Sequence, residues 1–156
     1  MIHIIGTAHA ATQFWSDVIR RCQSLDACAT TVTRFEAYLR GAATSLRATV
    51  IAEENSEYAV TQYEGGFSVV KKVADELGVH HIYCDPDRNE RHAANIRTSA
   101  ERETVWMHRI RPFYMNDGSI IFVCGADHSL TFGSLLGRNG LRAQIYCQDW
   151  TIEGAK

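Results

Sequence analysis

Ile120-Ile121-Phe122-Val123-Cys124-Gly125-Ala126-Asp127-His128 is an apolar run followed at once by glycine and, three residues later, by histidine. An unbroken apolar run of this length, mostly β-branched or aromatic, reads as a strand buried on both faces. The glycine permits a tight turn, and the polar residues after it mark where a helix can begin. The same pattern recurs near the start of the chain, where Ile2-His3-Ile4-Ile5 leads into Gly6-Thr7-Ala8-His9. Two imidazoles delivered from equivalent places on one sheet are a way to build a site. One such histidine alone more often caps a helix or ends in solvent; the matched pair is the signal.

The rest of the chain alternates strand and helix patterns around these two runs. Apolar strands are expected at 2–5, 48–52, 79–84, 119–124 and 142–147. Helical spacing is clearest at 11–22, at 32–39 (closed by Gly41), at 67–77 (stopped by Gly78) and at 130–136 (stopped by Gly137). Thr98-x-x-Glu101 is a capping-box pattern opening a helix with Val105, Trp106 and Ile110 on one face, and Pro112 is expected to end it. Strands separated by helices imply parallel pairing through crossovers. The fold class predicted is therefore a single α/β domain over 1–156, a three-layer sandwich with a largely parallel sheet of about five strands. Strand order is not legible. The helical surplus in 10–47 exceeds what a crossover needs and leaves room for a lid or a homo-oligomer contact.

Composition narrows the function. The chain has 156 residues, 46% hydrophobic and 22% charged, with a formal charge of -2, which is ordinary globular composition without a basic footprint for nucleic acid. No apolar stretch approaches the roughly 20 residues of a membrane span. Five cysteines without a C-x-x-C pair or disulfide-framework spacing, and no signal-like start, predict a reduced, cytoplasmic protein. Cys22 and Cys28 could pair in an oxidising compartment.

In an open parallel sheet, ligands bind outside the carboxyl ends of the strands. Here those ends carry His9, Glu53-Glu54, Asp85 with Asp87, and His128. Adjacent residues of an extended chain point oppositely. One of Glu53 and Glu54 is thus expected in the cleft, the other in solvent or at a helix start. Cys84, Cys124 and Cys147 end three strands and are expected to pack as small hydrophobes. His80-His81 sits within a strand, which sends one ring to each face. Imidazole and carboxylate groups suit a divalent metal such as Zn, Mn, Fe or Co, with His9, Glu53, His128 and Asp85 as donors. Without a metal, a histidine oriented by an acid would serve as base.

These residues resemble the TraB/PrgY–Tiki superfamily, whose distant relatives include erythromycin esterases and ChaN-type haem-binding lipoproteins. Gly6 to His9 and Gly125 to His128 match its two Gly-x-x-His motifs, and Glu53-Glu54 match its acidic pair. Arg102-Glu103 with Trp106-Met107 is similar to the Arg-Asp-x-x-Met element of the esterase and ChaN branches. Arg88 or Arg91, beside Asp85 and Asp87, is similar to the Asp-Arg-Asp region of the TraB branch. This chain is much shorter than the members of that superfamily. The resemblance implies a catalytic set of His9, Glu53, Glu54, Arg102 and His128, used by metal-dependent proteases, by a metal-free esterase mechanism or for haem.

Two functions follow. One is a hydrolase of peptide, ester or amide bonds acting on a small molecule or a peptide, in which Arg102 stabilises an oxyanion. The other is a non-catalytic binder or regulator of haem, metal or a protein partner. Arg102 is expected to enter the cleft held by Glu103 or a strand-end acid, and its replacement by alanine to leave the thermal midpoint nearly unchanged.

Overall fold

The apolar runs become the strands of one sheet. The computed structural model describes residues 1–8, 25–63, 66–114, 118–151 and 154–155. Its strands are β1 (Ile2–Thr7), β2 (Ala48–Glu53), β3 (His80–Tyr83), β4 (Ser119–Gly125), β5 (Ala143–Thr151) and β6 (Gly154–Ala155). The helices are α1 (Leu25–Ser45), α2 (Glu57–Tyr63), α3 (Val69–Leu77), α4 (Arg88–Ala93), α5 (Ser99–Tyr114) and α6 (Ala126–Arg138). The helix expected at 11–22 lies outside the described residues, and so do His9 and Cys22.

The sheet runs β3-β2-β4-β1-β5-β6. The first five strands are parallel, and β6 adds antiparallel to β5. Alternation along each strand divides the core in two. Ile5, Ile51, Ile121 and Val123 face α1 and α3, against Phe35, Leu39, Val70 and Val73. Ile2, Ile4, Ile120 and Phe122 face α5 and α6, against Trp106, Ile110, Phe132 and Leu136. The helices thus cover both faces of an apolar sheet, and each fully buried aliphatic or aromatic side chain contributes about 1.5–3 kcal/mol.

This strand order creates the crevice. α1, between β1 and β2, and α3, between β2 and β3, pack on one face; α5, between β3 and β4, and α6, between β4 and β5, pack on the other. β2 and β4 are neighbours, so the chain leaves their carboxyl ends toward opposite faces and opens a gap between them. Such switch points are where open α/β sheets bind ligands.

Three local readings are revised. α1 does not stop at Gly41: Ala42 and Ala43 are buried against the sheet, and the turn comes at Arg47, whose φ is 51°. α5 runs past Pro112 to Tyr114. Pro112 has no N–H for the His108 carbonyl, so this last turn forgoes one helical bond, and the Tyr114 hydroxyl accepts from Arg142 N–H at 3.0 Å. Gly6 does not make a turn. It lies within β1, opposite Cys124 rather than Gly125, so the two motifs are offset by one residue. A Cβ at Gly6 would sit 2.0 Å from the Gln148 carbonyl oxygen, so close approach of β5 requires the glycine.

Candidate active site

Glu54 is the residue on which the crevice is built. It follows β2 directly, and its N–H donates to the Val123 carbonyl of β4 at 2.8 Å. Its side chain is 2% exposed. Oε2 accepts from Gly125 N–H at 2.9 Å, at the N-terminus of α6, where a carboxylate is favoured by the helix dipole. Oε1 accepts from Arg102 Nη2 at 2.6 Å.

Arg102 reaches this position because α5 starts in the right place. Thr98 Oγ1 accepts from Glu101 N–H at 3.2 Å while Glu101 Oε2 accepts from Thr98 N–H at 2.8 Å, the capping box the sequence predicted. Trp106, Met107 and Ile110 then bury one stripe and fix the helix rotation. The guanidinium stands at 5.3 Å from the Trp106 ring centroid, and its Nε donates to Asp85 Oδ1 at 2.8 Å. The same Asp85 oxygen accepts from the Trp106 indole N–H at 3.0 Å, and Oδ2 accepts from Arg91. Burial alone would lower the Arg102 pKa, but the hydrogen bonds and charges of Asp85 and Glu54 outweigh it and raise it. Glu103 does not hold Arg102, as the sequence had allowed; the strand-end acids do.

Glu103 serves the histidine instead. It is 4% exposed, and its Oε1 lies 2.8 Å from His128 Nδ1 and accepts from Thr131 Oγ1 at 2.6 Å. His128 sits in the first turn of α6, its ring edge-on to Trp106 at 5.1 Å between centroids. Its Nε2 faces Glu54 Oε1 at 3.6 Å. In the neutral tautomer that gives its Nδ1–H to Glu103, Nε2 would carry the lone pair. A cavity of ≈ 380 Å³, bordered by Asn55, Asp85, Arg91 and Arg102, opens beside the guanidinium.

Glu54, Asp85, Arg102 and His128 are therefore brought together, and Glu53 is not. Glu53 lies on the α1/α3 side and is fully buried rather than in solvent. Its Oε1 accepts from Ser68 Oγ at 2.5 Å and lies 2.8 Å from His81 Nε2, while its Oε2 has no partner among the described residues. Ser68 is also the N-cap of α3, so this carboxylate sits at a helix start. His81 and Ser68 carried no expectation of a shared site. Of the metal donors expected, Glu53 lies on the opposite side of the sheet from His128, and His9 lies outside the described residues. Among the described residues no group of three His, Cys, Asp or Glu is spaced to hold a metal ion. Glu54 and Asp85 instead surround a guanidinium, whose charge disfavours a cation there.

Cys84, Cys124 and Cys147 are buried, Cys84 and Cys124 as free thiols. Burial pushes the Cys84 and Cys124 thiols far up, with nearby carboxylates adding to it, which makes both poor nucleophiles. No helix among the described residues is long and apolar enough to cross a membrane.

Compared with protein-family models, curated proteins and solved structures, the chain matches none of them. The likeness to the TraB/PrgY–Tiki superfamily accordingly rests on the motifs quoted above.

Proposed function

We propose that this chain is a hydrolase of an ester, amide or peptide bond in which His128 is the general base. The observation that carries the reading is the buried Glu103 at 2.8 Å from His128 Nδ1. A carboxylate there fixes the ring and its tautomer and stabilises the imidazolium formed when Nε2 accepts a proton. Water positioned by Nε2 would lose that proton as its oxygen attacks the carbonyl carbon. The carbonyl π electrons would move to oxygen, and Arg102, which retains N–H groups beyond those given to Asp85 and Glu54, would stabilise that oxyanion. Collapse would expel the alcohol or amine, which takes the proton back from His128. Glu54 and Asp85 hold the guanidinium in place and act as positioning residues. The reading needs no metal, because the guanidinium supplies the positive charge. It includes no role for Glu53 and assigns His9 none.

Hydrolysis of a panel of p-nitrophenyl esters and aminoacyl anilides by the purified protein tests it. Turnover of one class is expected, reduced about 100-fold or more in His128→Ala and less in Glu103→Gln, with a displaced pH profile. Activity unchanged in His128→Ala, no turnover with either class, or activity lost to a chelator and restored by zinc or manganese would each contradict it.

A further inference from the structure

β3 ends the sheet, and its outer edge is open among the described residues. Ile51 pairs with His81 and Glu53 with Tyr83, while Cys84 N–H donates to the Glu53 carbonyl at 2.9 Å. In a parallel ladder, alternate residues of one strand face the neighbour. His80, Ile82 and Cys84 therefore turn their backbone groups toward β2, and those of His81 and Tyr83 point away. Arg109 Nη1 lies 3.5 Å from the Tyr83 carbonyl on that outer side. The N–H and C=O of His81 and the N–H of Tyr83 have no partner among the described residues. An edge with unpaired backbone groups is a template for another strand.

The surroundings select what would pair there. A cavity of ≈ 660 Å³ borders β3, walled by Tyr58 of α2 and Phe113 of α5. Glu57, Asp87 and Glu90 line it, against one arginine, Arg109, which is itself paired with Glu90. Glu57 is exposed and has no ion pair among the described residues. This charge excess favours a cationic occupant. Aromatic walls suit the long stem and charged head of lysine or arginine.

We infer that the open edge of β3 binds an extended peptide segment rich in lysine or arginine, which adds to the sheet as a further strand. Main-chain hydrogen bonds to His81 and Tyr83 provide affinity, and the acidic, aromatic cavity selects the side chains. Arg109 closes the edge at the Tyr83 carbonyl, so the docked strand is short. The inference concerns binding and requires nothing of His128.

Fluorescence anisotropy with a labelled pool of seven-residue peptides, alternating Lys or Arg with Val, Thr or Ile, tests it on the whole chain. Saturable binding is expected, with a pool in which Glu replaces the basic residues failing to bind. N-methylation of alternate peptide amides should weaken binding about tenfold, the loss of one or two main-chain bonds. Glu57→Lys should weaken it by a similar factor without altering the fold by circular dichroism. No saturable binding of the basic pool overturns the inference. So does equal binding of the acidic or N-methylated pools, unchanged affinity in Glu57→Lys, or a second copy of the chain found occupying β3 in place of the peptide.

Discussion

Glu53 and Glu54 are neighbours in sequence and both are buried, yet they sit in opposite electrostatic settings. Glu54 faces α5 and α6, where it meets a guanidinium, the N–H at the start of a helix and, further off, His128. Glu53 faces α3, where it meets a hydroxyl and His81, and one of its oxygens has no partner among the described residues. Period two in an extended chain produces this split from two identical residues. What differs is the permanent charge opposite each carboxylate. The side with Arg102 can stabilise a developing negative charge, while the side with His81 offers a ring N–H but no permanent positive charge.

Substitutions can break the comparison, and the largest effect is expected at Arg102. Arg102→Ala removes the cation shared by Glu54 and Asp85 and leaves two buried carboxylates near each other. It should destabilise the chain by about 3–5 kcal/mol. At about 3 °C per kcal/mol this is a clear fall in the calorimetric thermal midpoint. The expectation drawn from sequence was an almost unchanged midpoint with Arg102 in the cleft; it is revised here because both carboxylates that Arg102 pairs with are buried. The next largest is the pair Glu54→Gln and Glu53→Gln. Glu54→Gln removes the charge facing Arg102 and should cost about 3 kcal/mol. Glu53→Gln keeps an acceptor for Ser68 and His81 and should cost about 1 kcal/mol. Equal losses in urea titrations of the two variants would erase the distinction between the two sides.

Much of this site was legible before any coordinates, for a physical reason. The strands are buried on both faces, so they appear as uninterrupted apolar runs whose ends can be read directly, and parallel topology gathers those ends on one edge. Glu54, Asp85 and His128 were accessible in this way, and Arg102 through the motif resemblance. The partners of each were not, because they depend on strand order and helix rotation, which no local pattern encodes. Glu103 reaches His128 only because α5 and α6 pack side by side, and His81 reaches Glu53 only because β3 lies next to β2. Gly6 shows the same limit: its glycine answers to the approach of Gln148 from a strand more than a hundred residues away, which a turn-based reading cannot see. Signals did exist for Glu103, since it lies three residues before Trp106 on the buried stripe of α5, where a carboxylate requires a partner.

The central claim is that Glu103 fixes His128 as a base through Nδ1. Nitrogen-15 chemical shifts of the imidazole test it most directly, using uniformly labelled protein near neutral pH with His128→Gln for assignment. The account predicts a neutral ring protonated at Nδ1, with Nε2 carrying the lone pair, and a shift toward the opposite tautomer in Glu103→Leu. A ring protonated at Nε2 alone, or an imidazolium with both nitrogens protonated at that pH, would contradict it.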